Sequence, residues 1–314
     1  GTHALFQEEV QFANLGLVII DEQHRFGVAQ RLLLREKGQG LTPHQLIMTA
    51  TPIPRTLAMT QYADLDVSVI DELPPGRTPV DTRILSQSRS HEIAARLDRQ
   101  FDSGGQAYWV CTLIEETEQS QAEAAETRTA KLKEWLPHRR IGLVHGRMKA
   151  DEKSQVMQAF AKGHLDLLVA TTVIEVGVNV PNANIMVIEN PERLGLAQLH
   201  QLRGRVGRGS RVSFCVLLSG DTISETSRER LHLLKDTHDG FALSEADLRL
   251  RGPGDVSGTR QTGDLSFRVA DLSRHADLLD QVAEVAETIR QTEPTTRSQL
   301  IARWIGHEEH FAHV

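Results

Sequence analysis

Beyond residue 79 the sequence alternates short apolar runs with longer amphipathic stretches, and few folds accept that pattern. Strand-like runs fall near 80–85, 107–111, 141–144, 167–170, 185–188 and 212–218, and helical stretches near 89–102, 122–135, 150–162 and 195–202. Strands joined by helix-length crossovers pair in parallel, because an antiparallel neighbour needs only a tight turn. The fold class this predicts is α/β with a doubly wound parallel sheet. A smaller set of runs precedes it, with strands near 17–20, 46–49 and 67–70 and a helical stretch over 28–35. Leu73-Pro-Pro-Gly-Arg-Thr-Pro79 is a breaker cluster that separates the two sets. Gly220 closes the second set. Residues 221–250 then read as helical, with Leu231, Leu234, His238 and Phe241 three and four apart. A glycine-rich segment over 252–263 and an amphipathic pair around 271–290 and 297–305 complete the chain. Three stretches result: 1–75, 80–220 and 221–314.

Composition bounds the class. A length of 314 residues suggests about two domains, and 39% apolar content is enough for real cores. No apolar run approaches the roughly 18 residues of a membrane span, and no secretory leader precedes the first strand, so a cytoplasmic globular protein is expected. Cys111 and Cys215 each sit in an apolar run and read as reduced core residues, with no zinc-ligand spacing around them. A net charge of −7 argues against a protein that coats nucleic acid. The distribution is uneven, however. Acids crowd 115–126, whereas the 193–211 stretch carries five arginines and no acid.

That basic stretch contains Gln201-Leu-Arg-Gly-Arg-Val-Gly-Arg208. Its arginines, Arg203, Arg205 and Arg208, either form a solvated basic helix face or meet an anion such as phosphate, with Gly204 and Gly207 admitting a large ligand close to the backbone. Near the other end, Leu17 to Ile20 run into Asp21 and Glu22. This is an ordinary polar turn after a strand, or the strand-end carboxylate pair with which nucleotide hydrolases hold Mg²⁺ and polarise water. Thr49-Ala-Thr51 follows another apolar stretch and by itself reads as a capped turn. Gly252, Gly254 and Gly258 imitate a dinucleotide-binding loop, but no strand leads into them, and a surface loop is the simpler reading. His145, Trp109 and Trp135 read as packed core, and Tyr62 is too isolated to form a stacking platform.

In this order the segments resemble motifs II (Asp21-Glu-Gln-His24), III (Thr49-Ala-Thr51) and VI (Gln201 to Arg208) of superfamily 2 helicases. Gly1-Thr-His-Ala-Leu5 looks like motif Ib, Ala107 to Glu115 like motif IV, Val144-His-Gly-Arg-Met148 like the segment after it, and Thr171 to Asn179 like motif V. Glu189 to His200 and Gly252 to Gly263 resemble one branch, the bacterial RecG helicases, with the transcription-repair coupling factors nearest to it. The short tail after the glycine-rich segment favours RecG over the coupling factors.

The resemblance implies two RecA-like motor domains, the first in part (1–75) and the second complete (80–220), with a helical hairpin and coupling loop over 221–314. It implies Mg·ATP hydrolysis coupled to movement on branched or double-stranded DNA, in a monomer, with a single-stranded DNA-binding protein as a further partner. Asp21 would hold Mg²⁺ through water, Glu22 would orient or deprotonate the attacking water, and His24 would couple the nucleotide to motif VI. Gln201 would sense the γ-phosphate, Arg205 would reach the nucleotide, and Arg208 would be the arginine finger. Gly177 and Asn179 would line the nucleotide, with Asn179 standing where the family pattern has Asp. Arg203 either joins this set or pairs with an acid at the domain edge. Thr2, His3 and Thr172 would contact DNA, and Thr49, Thr51 and Thr171 would couple hydrolysis to it. Arg251, Arg260 and Gln261 would transmit domain closure. No Gly-x-x-x-x-Gly-Lys-Ser/Thr loop occurs. The expectation is therefore the carboxy-terminal part of a longer motor, inactive in ATP hydrolysis by itself.

Overall fold

The structure, a computed structural model, describes residues 1, 3–7, 9–22, 33–34, 37, 42–49, 66–70, 72, 77–112, 118–171, 180–251 and 278–304. By contacts the chain divides into two units, 64–258 and 1–63 with 259–314.

The larger unit is built on a six-stranded sheet. Its strands are β3 (Asp81–Ser86), β4 (Gln106–Val110), β5 (Ile141–Val144), β6 (Leu167–Ala170), β7 (Ala183–Glu189) and β8 (Phe214–Ser219), in the order β3-β8-β7-β4-β6-β5. Every pairing is parallel. The helices between them are α1 (Ser90–Asp102), α2 (Glu118–Trp135), α3 (Ala150–Ala161) and α4 (Leu196–Arg203).

Alternation along each strand decides which helices lie on which face. Ala107 and Trp109 of β4 join a core with Ile93, Leu97 and Phe101 of α1 and Ala125 and Leu132 of α2. Tyr108 and Val110 join the opposite core, with Phe160 of α3 and Leu196, Leu199 and Leu202 of α4. A sheet covered on both faces buries its central strands from end to end, and β4, β6 and β7 are buried at every position, with Gln106, Asn184 and Glu189 as the polar exceptions in mainly apolar runs. Each fully buried leucine or phenylalanine contributes roughly 1.5–3 kcal/mol, so these cores hold the unit together. Trp109 is 0% exposed, as its core assignment requires. Cys111 and Cys215 are buried and free, and burial pushes the Cys215 thiol up to about 12.

Helices α5 (Glu225–Asp236) and α6 (Gly240–Arg251) follow β8 in the same unit. Ser224 caps α5 by accepting from the Ser227 amide, and Leu231, Leu234 and Leu243 enter the core beside α4. The 221–250 stretch is thus a broken helix: residues 237–239 are non-helical, and the Asp239 side chain accepts from the Phe241 amide at the restart.

In the other unit, β1 (Leu17–Ile20) pairs in parallel with β2 (His44–Ile47). Val18 and Ile20 pack on Leu34 and Leu15, and the Lys37 ammonium donates to the carbonyls of Gln7 and Val10. Helices α7 (Leu279–Thr292) and α8 (Pro294–Trp304) pack on each other where the amphipathic pair is expected; residues 271–277 and 305 of the expected ranges lie outside the described residues. The strand expected near 67–70 is absent. Residues 66–70, which belong to the larger unit, are irregular, with Val67, Val69 and Ile70 exposed and no described strand paired with them; β-branched composition alone does not make a strand. Tyr62 lies outside the described residues.

Candidate functional site

The carboxylates emerge where an open parallel sheet presents its chemistry, at the carboxyl ends of adjacent strands. Ile20 is in register with Ile47, and the Met48 amide donates to the Ile20 carbonyl at 2.7 Å. Asp21-Glu22 and Met48-Thr49 therefore leave the pair side by side. Glu22 has a φ of 55°, left-handed for a residue with a Cβ, and its amide donates to Asp21 Oδ1 at 2.8 Å. Such a conformation costs on the order of 1–3 kcal/mol and is found mostly at functional sites. The turn leaves Asp21 exposed and Glu22 half-buried, with Thr49 exposed beside them. His3 opens a 3-10 turn over His3–Phe6. Thr2, His24 and Thr51 lie outside the described residues.

In the larger unit, α4 turns Leu196, Leu199 and Leu202 inward and carries Gln201 half-buried. The three arginines that the sequence groups together then part company. Arg203 is 3% exposed; its Nη1 donates to the carbonyls of Leu234 (2.5 Å) and Thr237 (2.9 Å), and its Nη2 lies 3.0 Å from His200 Nδ1. Of the two alternatives open for Arg203, neither is what these bonds show: backbone carbonyls and His200, not an acid, take its guanidinium. The guanidinium satisfies carbonyls left open at the C-terminal end of α5, where the helix dipole also favours a cation. Burial, then the charges of Arg203 and Arg77, push His200 down to about 4, so Nδ1 accepts from Arg203.

Arg205 is half-buried and Arg208 exposed. The turn between them is anchored at Gly204, whose carbonyl accepts from Arg208 Nε and from Arg77 Nη2, both at 3.2 Å. Gly207 has a φ of +76°, and a Cβ at Gly209 would stand 2.4 Å from the Pro181 carbonyl oxygen. Glycine is required at both positions, in one for conformation and in the other for close approach. The result is a rigid platform that presents an exposed guanidinium beside a half-buried one.

Thr171 follows β6; its amide donates to the Val144 carbonyl, and its hydroxyl is buried with no hydrogen-bond partner among the described residues. The neighbouring position on β5 is followed by His145, whose Nδ1 is also buried with no partner among the described residues and whose Nε2 lies 3.7 Å from Glu126. Thr172, Gly177, Asn179, Arg260 and Gln261 lie outside the described residues. Arg251 is the last residue of α6.

Sequence reasoning missed a buried polar network at the ends of β4 and β7. Glu189 Oε1 accepts from Trp109 Nε1 at 2.7 Å and from Arg128 Nε at 2.6 Å, with 7% and 16% of the acid and base side chains exposed. Thr112 donates to the carbonyls of Glu189 and Asn190, and Asn190 Nδ2 returns a bond to the Thr112 carbonyl. One signal was available: an acid ending an otherwise apolar strand, followed by Asn-Pro.

Residues 91–210 match the model for the helicase conserved C-terminal domain, and residues 237–303 match that for ATP-dependent DNA helicase RecG, domain 3, C-terminal. The whole chain is 59% identical to the ATP-dependent DNA helicase RecG of Pasteurella multocida (strain Pm70) over 317 residues. Along its whole length the chain is similar to RecG helicases. The RecG of Escherichia coli (strain K12) is 60% identical over 99% of the chain, and in both relatives the chain spans 46% of the protein's length. A solved structure described as RecG bound to a three-way DNA junction is 48% identical, with a TM-score of 0.70, and the match covers 89% of this chain and 35% of that one. The six-stranded unit is accordingly a RecA-like α/β domain of the RecG type. No described helix is long and apolar enough to cross a membrane.

Proposed function

We propose that this chain is the carboxy-terminal motor portion of an ATP-driven RecG-type helicase that remodels branched DNA. What carries the reading is identity of 59–60% along the whole chain to RecG proteins, together with an arginine platform at 204–208 built on glycines that only a close-packed turn requires. ATP is the proposed substrate and branched or double-stranded DNA the track. A monomer acting in the cytoplasm, with a single-stranded DNA-binding protein as a further partner, completes the proposal.

The roles follow unit by unit. In the smaller unit, Asp21 is an exposed hard oxygen donor at a strand end, which fits a hydrated Mg²⁺. One of its oxygens is occupied by the Glu22 amide and the other is available to water in the ion's shell. Such an ion neutralises phosphate charge when bound. Glu22, held in its left-handed turn, orients or deprotonates the attacking water, and His24 couples the nucleotide to the Gln201–Arg208 segment. In the larger unit, Gln201 senses the γ-phosphate, Arg205 steadies it, and the exposed Arg208 neutralises charge developing in the transition state. Gly177 and Asn179 line the nucleotide. Thr2, His3 and Thr172 contact DNA phosphates, and Thr49, Thr51 and Thr171 couple hydrolysis to the track. Arg251, Arg260 and Gln261 carry closure to DNA movement.

The deciding experiment grafts residues 1–314 in place of the matching portion of the Pasteurella multocida relative. The chimera should hydrolyse ATP in response to branched DNA and unwind a three-way junction, while the 314-residue chain alone shows no DNA-stimulated hydrolysis. A soluble, folded chimera that ignores junction DNA would sink the proposal. Arg260→Ala in the chimera should leave hydrolysis nearly intact and collapse unwinding at saturating DNA. A pure contact role would instead give salt-sensitive binding that excess DNA rescues.

A further inference from the structure

The connections leaving β4 and β7 part to opposite faces of the sheet. After β4 the chain enters α2, which packs into the core with α1; after β7 it enters α4, which packs into the other core. Adjacent strands whose connections diverge in this way create a crevice at their carboxyl ends, the usual place for a ligand in an open α/β sheet. Here protein fills it. The Glu189 carboxylate stands in the gap between Trp109 of β4 and Arg128 of α2. The Arg128 guanidinium in turn lies over the rings of Trp109 (5.9 Å) and Trp135 (5.8 Å). Just beyond, the Thr112 hydroxyl donates to the Glu189 and Asn190 carbonyls and Asn190 Nδ2 donates back to the Thr112 carbonyl, with Asn190 at a left-handed φ of 45°.

A buried ion pair is a poor investment for stability alone, because desolvation cancels much of the attraction. Burial indeed holds the Glu189 carboxyl above its ordinary range, against Arg128 and Trp109. What the pair fixes is direction. The segment leaving β4 resembles motif IV, and the turn leaving β7 delivers Gln201, Arg205 and Arg208. We infer that Glu189 is a positioning residue that clamps these two exits together, so that the arginine-bearing helix and the motif IV segment move as one body. This rests on the functional reading above.

The test separates positioning from stability. Arg128→Met with Glu189→Leu replaces the pair by apolar side chains of similar size, a change that commonly preserves or raises stability. The buried Trp109 indole N–H loses its acceptor, so the thermal midpoint of the 314-residue chain should fall only modestly, while amide exchange across 190–195 accelerates. In the chimera the double variant should lower the base pairs unwound per ATP hydrolysed by roughly fivefold, the scale of coupling lost by such contacts. Glu189→Gln keeps an oxygen that accepts from both partners and should retain most of the coupling. A double variant with normal midpoint, normal exchange and normal coupling overturns the inference, as does one whose coupling falls only in proportion to lost stability. A wild-type chimera that fails to unwind sinks the functional reading and the inference together, and is distinguished by failing before any substitution is made.

Discussion

Strands β1 and β6 are both four residues long and wholly apolar, Leu17-Val-Ile-Ile20 and Leu167-Leu-Val-Ala170, yet they live differently. All four residues of β6 are 0% exposed; in β1, Leu17 and Ile19 are 54% and 57% exposed while Val18 and Ile20 are buried. The difference lies in their neighbours. β6 pairs with β4 on one edge and β5 on the other, and its alternate residues enter the two cores. Among the described residues β1 pairs with β2, and only its Val18–Ile20 side meets a core. An apolar run thus states that a strand can be buried on two faces, and the packed elements decide on how many it is. The same division separates the proposed chemistry, in which the smaller unit supplies carboxylates on a left-handed turn and the larger supplies arginines on a closely packed one.

The largest effects should come from that chemistry. Glu22→Gln and Arg208→Ala, each placed in the chimera, should cut DNA-stimulated turnover by ~10³ or more while ATP binding and the unfolding midpoint barely change. Near-normal turnover in either variant would show that one unit's contribution has been misassigned.

Core truncation sharpens the comparison from the packing side. Leu168→Ala empties a site closed on all sides and should cost about 2–5 kcal/mol in denaturant unfolding of the chain. Ile19→Ala, on the open side of β1, should cost less than about 1 kcal/mol. Equal losses would mean that β1 is as enclosed as β6.

Next comes the pair of arginines that the sequence does not tell apart. Arg203→Ala orphans the Leu234 and Thr237 carbonyls and should destabilise the larger unit by about 1–3 kcal/mol. Arg208→Ala should fall within about 0.5 kcal/mol of wild type. If Arg203→Ala kept full stability but lost nucleotide response, Arg203 would belong with the finger and not with the fold.

The smallest effect is a pH dependence confined to the larger unit. The folded pKa of His200, about 4, lies below its ordinary 6.5. The unfolded chain therefore binds the extra proton first. His200 favours folding fully above pH 6.5, and that contribution is lost as pH falls toward 4. Asp239 opposes the shift, whereas Arg203, Arg77 and His238 reinforce it. His200→Gln should flatten stability between pH 6.5 and 4 relative to wild type, measured by denaturant midpoints in matched buffers. An unchanged slope would mean that His200 titrates normally in the fold.

Much of this was legible in advance. The strands at 141–144 and 167–170 lie where periodicity puts them, and the helices expected near 89–102 and 195–202 fall within a residue of their places. The carboxylate pair follows from strand-end position, and Gly207 was marked by the basic segment around it, whereas the close approach of Gly209 to Pro181 was not legible. Residues 66–70 misled because β propensity describes fit to a sheet, and among the described residues no strand pairs with them.

The sequence by itself determined the parallel α/β class, the resemblance to RecG helicases, and which residue types reach the ends of which strands, because periodicity and chain order are local properties. Tertiary structure decided which of three neighbouring arginines is buried, that Glu189 fills a crevice where a ligand could have sat, and that β1 shows a bare face where β6 shows none. Those outcomes depend on residues tens of positions away, such as Leu234 for Arg203 and Arg128 for Glu189, and no local pattern records which distant carbonyl or guanidinium will arrive.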